Sequence, residues 1–212
     1  MPQIARSIAI VIASLGLALA VGAQAQPVST KRAAVAKPQA KLPKAGTYKI
    51  DLDHSHAYFV IRHLDISRFM GRFDQIQGEF TVGETQERNA AKASIRVDSI
   101  NTKQGKIDEH LRSADFFDAT RFPTMEFNTT RVKWNAGGEG TMAGNLSIKG
   151  VTRPVEFALR ATGAGAGLKG EIRSGFEAKT TLKRSDYGIM YGLPSVVGDL
   201  VEITLSVEGV LQ

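Results

Sequence analysis

Apolar and polar residues alternate along the C-terminal stretch of this chain. Val201, Ile203, Leu205 and Val207 fall on one side, and Glu202, Thr204, Ser206 and Glu208 on the other. Successive side chains of a strand point to opposite faces, so this period of two predicts a half-buried strand over 200–211. Shorter runs of the same kind predict strands over 47–51, 55–63, 76–82, 93–97, 125–134, 141–149, 155–161 and 168–182. Asp53 and His54 separate the first two, and Gly78 interrupts the apolar face of 76–82. Gly137-Gly138 and the glycines of 163–167 read as turns, because glycine takes positive φ without steric cost. The period changes once, over 103–113. There Ile107 and Leu111 are four apart, Asp108 and Glu109 come early and Arg112 late. That is a short amphipathic helix, with Asn101 or Thr102 as its cap.

A long run of antiparallel strands has to hide its two edges, and closing into a barrel removes them. The expected class is all-β: an antiparallel barrel with one short helical insertion packed near its mouth. A barrel of about eight strands has room for packed side chains or for one small ligand. Periodicity does not distinguish the two.

The first 25 residues stand outside this pattern. Arg6 precedes an apolar run over 8–21, and Ala23-Gln24-Ala25 fits a small-residue cleavage site. The segment reads as a secretory signal peptide cleaved before Gln26, since the run is shorter than the ~20 residues a spanning helix wants. Residues 26–45 hold Pro27, Pro38 and Pro43 with Lys31, Arg32, Lys37, Lys41 and Lys44 and no acid, which reads as a flexible basic linker. Of the 27 Lys and Arg, Arg6 and those five lie before residue 46, leaving 21 against 21 Asp and Glu. The domain over 46–212 is therefore neutral, which disfavours nucleic acid as a partner and leaves contact with the envelope to the linker. The chain has no cysteine, so disulfides, thiol catalysis and Cys-based metal sites are excluded. The 167 residues of 46–212 suit one core.

Candidate chemistry is sparse. His54 and His56 would share a strand face, His63 ends that strand and His110 lies on the helix. Two or three imidazoles with Asp51, Asp53 or Asp108 could hold zinc, but no HxxxH or HExxH spacing supports it. His54 or His110 could act as an acid–base group, without a compact constellation around either. The Gly163–Gly167 run sits between strands, so it lacks the helix a phosphate loop requires. Ser55 and Ser185 sit in no G-x-S-x-G elbow. The expectation is a non-enzyme with no metal and no cofactor. Ten phenylalanines spread over nearly every element, as core filling or as the lining of a hollow interior.

Several blocks resemble the YceI-like family: Asp53-His54-Ser55, Phe59 to Leu64, Gly71-Arg72-Phe73, Ser99 to Thr102 and Asp108 to Asp118. The likeness continues in order through Phe122-Pro123, Ile148 to Thr152, Arg184 to Gly188 and Val197-Gly198-Asp199. The resemblance implies an extended eight-stranded antiparallel lipocalin-like barrel exported to the bacterial periplasm. It also implies a polyisoprenoid-type lipid, such as a polyprenyl phosphate or a quinone, in an apolar tunnel, and pairing into homodimers in some members. One position departs from the pattern: the family's Arg before the helix Asp is replaced by Ile107, leaving Arg112 or Lys106 for that role. On this reading Phe59, Ile61, Phe80, Leu111, Phe116, Phe117, Phe127 and Phe176 are expected to line the tunnel. His54, Ser55, His63 and Asp186 are expected near its polar end or as buried hydrogen-bonding supports. A binding protein or carrier is the leading expectation, beside an enzyme acting on such a lipid and an envelope interaction module.

Overall fold

The computed structural model describes residues 43–212. The expected leader and all but the last residues of the expected linker lie outside the described residues. Eleven strand segments follow: β1 (Gly46–Ile50), β2 (His56–His63), β3 (Ser67–Phe73), β4 (Ile76–Val82), β5 (Ala90–Arg96) and β6 (Ile100–Asn101). After the helix α1 (Gly105–Arg112) come β7 (Thr124–Trp134), β8 (Glu139–Ile148), β9 (Val151–Ala166), β10 (Ile172–Lys183) and β11 (Val197–Leu211). All pairings are antiparallel. Three pairs of segments are single long strands broken midway, because β1 bonds to β4 while β2 bonds to β3, and β4 bonds to β5 while β3 bonds to β6. Counted so, eight strands close into a barrel, with β11 bonded to β10 on one side and to both β1 and β2 on the other.

The break between β1 and β2 is a single helical turn, Leu52–His54. A turn there would strand β11 backbone groups, and Ser55 replaces what is lost. Its fully buried hydroxyl donates to the Glu208 carbonyl at 3.1 Å and accepts from the Glu208 N–H at 3.0 Å. The Asp51 N–H donates to the same carbonyl at 2.9 Å. Ser55 is thus a sheet repair, which the period of two could not reveal.

Inward-facing side chains form two clusters. One gathers Tyr48, Phe80, Phe127, Phe157, Phe176 and Val207; the other, toward α1, gathers Phe73, Val97, Ile100, Phe116, Met125 and Tyr187. Tyr48 stacks on Phe80 at 5.0 Å, and Phe80 meets Phe176 edge-on at 5.2 Å. The outer face is charged, with Arg160 bonded to Glu177 at 2.9 Å and Lys179 beside it at 3.5 Å. That exterior is unlike the apolar band of a barrel facing lipid.

β11 runs the length of the barrel, pairing with His63 through Val197 and with Tyr48 through Leu211. One end therefore carries the β2–β3 turn, α1, the β8–β9 turn and the β10–β11 connection. The opposite end carries the β4–β5, β7–β8 and β9–β10 turns.

Three local expectations are corrected. β3 was not expected: its inward face reads Ser67-Phe69-Gly71-Phe73, and Gly71 is needed because a Cβ there would come within 2.3 Å of the Phe59 ring. Gly163 and Gly165 are not a turn but continue β9, and the chain reverses at Gly167–Gly170 instead, where Gly167 N–H bonds to Glu171 O at 2.7 Å. The helix starts at Gly105 with Gln104 before it and no side-chain cap. The contact runs the other way, from the Thr102 N–H and hydroxyl to Asp108 Oδ1 at 2.8 and 2.6 Å.

Candidate functional site

Inside the barrel is a cavity of about 580 Å³. Strand period puts Phe59 and Ile61 (β2), Phe80 (β4), Phe127 (β7) and Phe176 (β10) on its wall, and the segment after β6 adds Leu111, Phe116 and Phe117. The barrel is hollow rather than filled, because rings such as Phe127 and Phe157, 5.3 Å apart and edge-to-face, pack along the wall. All eight residues expected as lining are brought together here. Met142, Phe157, Leu146 and Ile203 also line it, and their own alternation was the signal that could have found them.

The expected polar set is only partly brought to the cavity. His63 lines it, whereas His54, Ser55 and Asp186 do not. His54 sits in the exposed turn against Asp51 at 3.0 Å, Ser55 repairs β11, and Asp186 is exposed, its carbonyl accepting from Arg153 at 3.3 Å. His54 and Asp186 belong to helical turns that leave the strand register, and Ser55 is the extended residue that follows the first of them. The polar end is built instead at α1 and the β10–β11 connection, by Gln104, His110, Arg184 and Tyr191 with His63 and Ser67 of the β2–β3 hairpin. Lys92 and Glu126 reach the cavity edge from β5 and β7.

His110 couples two elements there. Its ring lies edge-on to Phe116 at 5.1 Å and to Tyr191 at 4.7 Å, and its Nε2 is 2.9 Å from Asp115 Oδ2. Arg184 is buried, and its guanidinium donates to the carbonyls of Gly198 at 2.8 Å, Ile189 at 3.1 Å and Val197 at 2.9 Å. Burial pulls its pKa below the usual arginine value, against the nearby Asp199 carboxylate. The cation pins the β10–β11 connection across the barrel end. Ser185 is likewise spent structurally, its N–H and hydroxyl donating to Asp199 at 2.9 and 2.8 Å. Ile107, at the departing position, lines the cavity. Arg112 fastens α1 through bonds of 3.1 Å to the carbonyls of Asp98 and Ile100.

Asp51, His54 and Glu208 converge on the barrel wall, their donor atoms within 4.8 Å of one another. A guanidinium already serves these carboxylates. Arg173 bonds to Asp51 at 2.7 Å, Glu208 at 2.6 Å and Glu171 at 2.7 Å. Burial pushes the Asp51 carboxyl up, but bonds from Arg173, His54 and the Asp53 N–H outweigh it and hold the pKa at about 2. The cluster ties β1, β10 and β11 together as an ion-pair network.

Comparison with known proteins places this barrel. The sequence profile of the YceI-like domain matches residues 48–209. The chain belongs to the YceI-like family. A UPF0312 protein of Pseudomonas aeruginosa is 40% identical to this YceI-like chain over 171 residues, covering 79% of this chain and 88% of that protein. Among solved structures, Burkholderia cenocepacia BcnA superposes with a TM-score of 0.68 at 21% identity, covering 75% of this chain and 98% of that one. A polyisoprenoid binding domain from Saccharophagus degradans superposes with a TM-score of 0.60 at 16% identity, covering 80% and 100%. At those identities the two structures support the YceI-like fold.

Proposed function

We propose that this protein is a periplasmic carrier that holds a polyisoprenoid, or a similar long-chain amphiphile such as a prenyl phosphate or a quinone, in the barrel cavity. The observation that carries this reading is the 580 Å³ interior walled by aromatic and aliphatic side chains, with most of its polar groups gathered toward α1. A methylene-sized group takes about the 30 Å³ share of a liquid water, so the cavity encloses about 20 such groups, near four isoprene units. Burying them gains about 0.8 kcal/mol each before the costs of association, enough for capture without sharp polar recognition. The tail then lies among Phe80, Phe127, Phe157 and Phe176, and the head faces His110, Arg184 and Tyr191. The polyisoprenoid-binding neighbour supports the ligand class, and the leader pattern of residues 1–25 supports export. A carrier also suits the histidines better than an enzyme does: His54 is away from the cavity, and His110 is engaged with Asp115 and two rings.

Titration of delipidated protein with geranylgeraniol tests the reading. The native chain should bind one equivalent, His54→Ala should bind as well, and Phe127→Asp should lose the ligand by placing a charge in the apolar wall. A native chain that takes up no isoprenoid sinks the proposal.

A further inference from the structure

Large apolar side chains left in water are concentrated at one end of the barrel. Of the ten such residues among those described, seven fall within 64–70 and 190–200, led by Ile66 at 83% exposure and Met70 at 67%. The two segments are joined, because the Leu64 N–H donates to the Val196 carbonyl at 2.9 Å and His63 pairs with Val197. Leu64 and Asp65 both take left-handed backbone, with φ of 52° and 54°, which turns the hairpin tip outward. A leucine carries a steric cost in that conformation, and here it is spent on an exposed side chain.

The same segments enter the cavity wall through His63, Phe69, Tyr191 and Val197. The exposed apolar rim is therefore continuous with the apolar interior. Exposed cations lie in the elements of this end: Arg62 and Arg68 on the hairpin, the latter paired with Glu202, Lys103 before α1 and Lys106 in its first turn, with Glu109 exposed beside them. The acid at the tip, Asp65, is engaged by Arg62 at 3.0 Å. Exposed apolar tips with Lys103 and Lys106 at the same end match hydrocarbon beneath anionic headgroups. A second copy fits less well, because rim-to-rim pairing about a two-fold axis would set these cations against one another.

We infer that this end of the barrel docks on an anionic phospholipid bilayer, with Leu64 and Ile66 entering the acyl boundary and the cavity opening onto the membrane. The inference goes beyond the proposed carrier role and does not depend on which lipid the cavity holds. Its test is co-sedimentation of the full chain with vesicles of phosphatidylethanolamine and phosphatidylglycerol. The double variant Leu64→Asp/Ile66→Asp is compared with Leu168→Asp, whose fully exposed leucine lies on the β9–β10 turn at the opposite end. Aspartate tolerates left-handed backbone, so residue 64 can accept it, and unchanged melting checks the fold. The basic stretch before residue 46 is common to all three chains, so differences between them report the rim.

The expected result is a loss of vesicle affinity of about tenfold or more for the rim variant, with Leu168→Asp binding as the native chain does. Equal binding by the rim variant overturns the inference. So does a rim variant that changes only self-association on gel filtration. Vesicle docking by a chain that refuses isoprenoids would leave this inference standing and remove the carrier. Isoprenoid uptake without docking would do the reverse.

Discussion

Ala93→Phe should narrow the cavity without disturbing the barrel. Ala93 lies on β5 opposite Phe127, is partly buried and lines the cavity, so a ring placed there projects into open space. A benzene-sized ring takes about 150 Å³, roughly a quarter of the 580 Å³ available. That excludes about five methylene-sized groups at about 30 Å³ each, worth up to about 4 kcal/mol at about 0.8 kcal/mol per group. A chain that fills the cavity should therefore lose as much as about three orders of magnitude in affinity. A ten-carbon chain still fits the remaining space and should lose little. Calorimetric titration of delipidated native and variant protein with geraniol and geranylgeraniol reads both values, and a thermal melt confirms that the variant is folded. Equal losses for the two alcohols, or none for the longer one, would show that the chain does not lie along this wall.

Other consequences follow from single residues. Ser55→Ala removes the hydroxyl that satisfies two Glu208 backbone groups across the β1–β2 break. It should cost about 1–3 kcal/mol in denaturant unfolding and leave ligand affinity unchanged. Asp51 has a folded pKa of about 2 against an ordinary 3.8. Its contribution, on the order of 2 kcal/mol, is therefore complete above the ordinary value and lost as pH falls through about 2. Asp51→Asn should lower stability at neutral pH and flatten the acid limb of a pH–stability curve; an unchanged limb would contradict the network's role. His110→Ala removes contacts to Phe116 and Tyr191 but no apolar wall. It should keep lipid within about threefold of native affinity, and lipid recovered from either protein should have the same mass.

The wall of the cavity was legible because a period of two assigns faces as well as strands. Phe59, Ile61, Phe80, Phe127 and Phe176 were singled out through the family resemblance, and strand parity explains why all five lie on the cavity wall. Parity fails where the strand is interrupted. Leu52–His54 and Arg184–Tyr187 are helical turns, so His54, Ser55 and Asp186 could not be given a direction from spacing. β3 escaped notice because glycine stands where an inward residue would collide with Phe59. The alternating glycine and alanine of 163–166 show no hydropathy contrast, although they are strand. The polar end joins α1, the β2–β3 hairpin and the β10–β11 connection, which lie far apart in sequence. Only the barrel's closure brings His110 to Tyr191.

Native mass spectrometry of the protein purified from its own envelope fraction, without detergent, shows whether the barrel carries a lipid. The expected result is one stoichiometric isoprenoid-type lipid per barrel, released intact on extraction and absent from Phe127→Asp. A clean unliganded mass that stays unchanged after incubation with geranylgeraniol would contradict it.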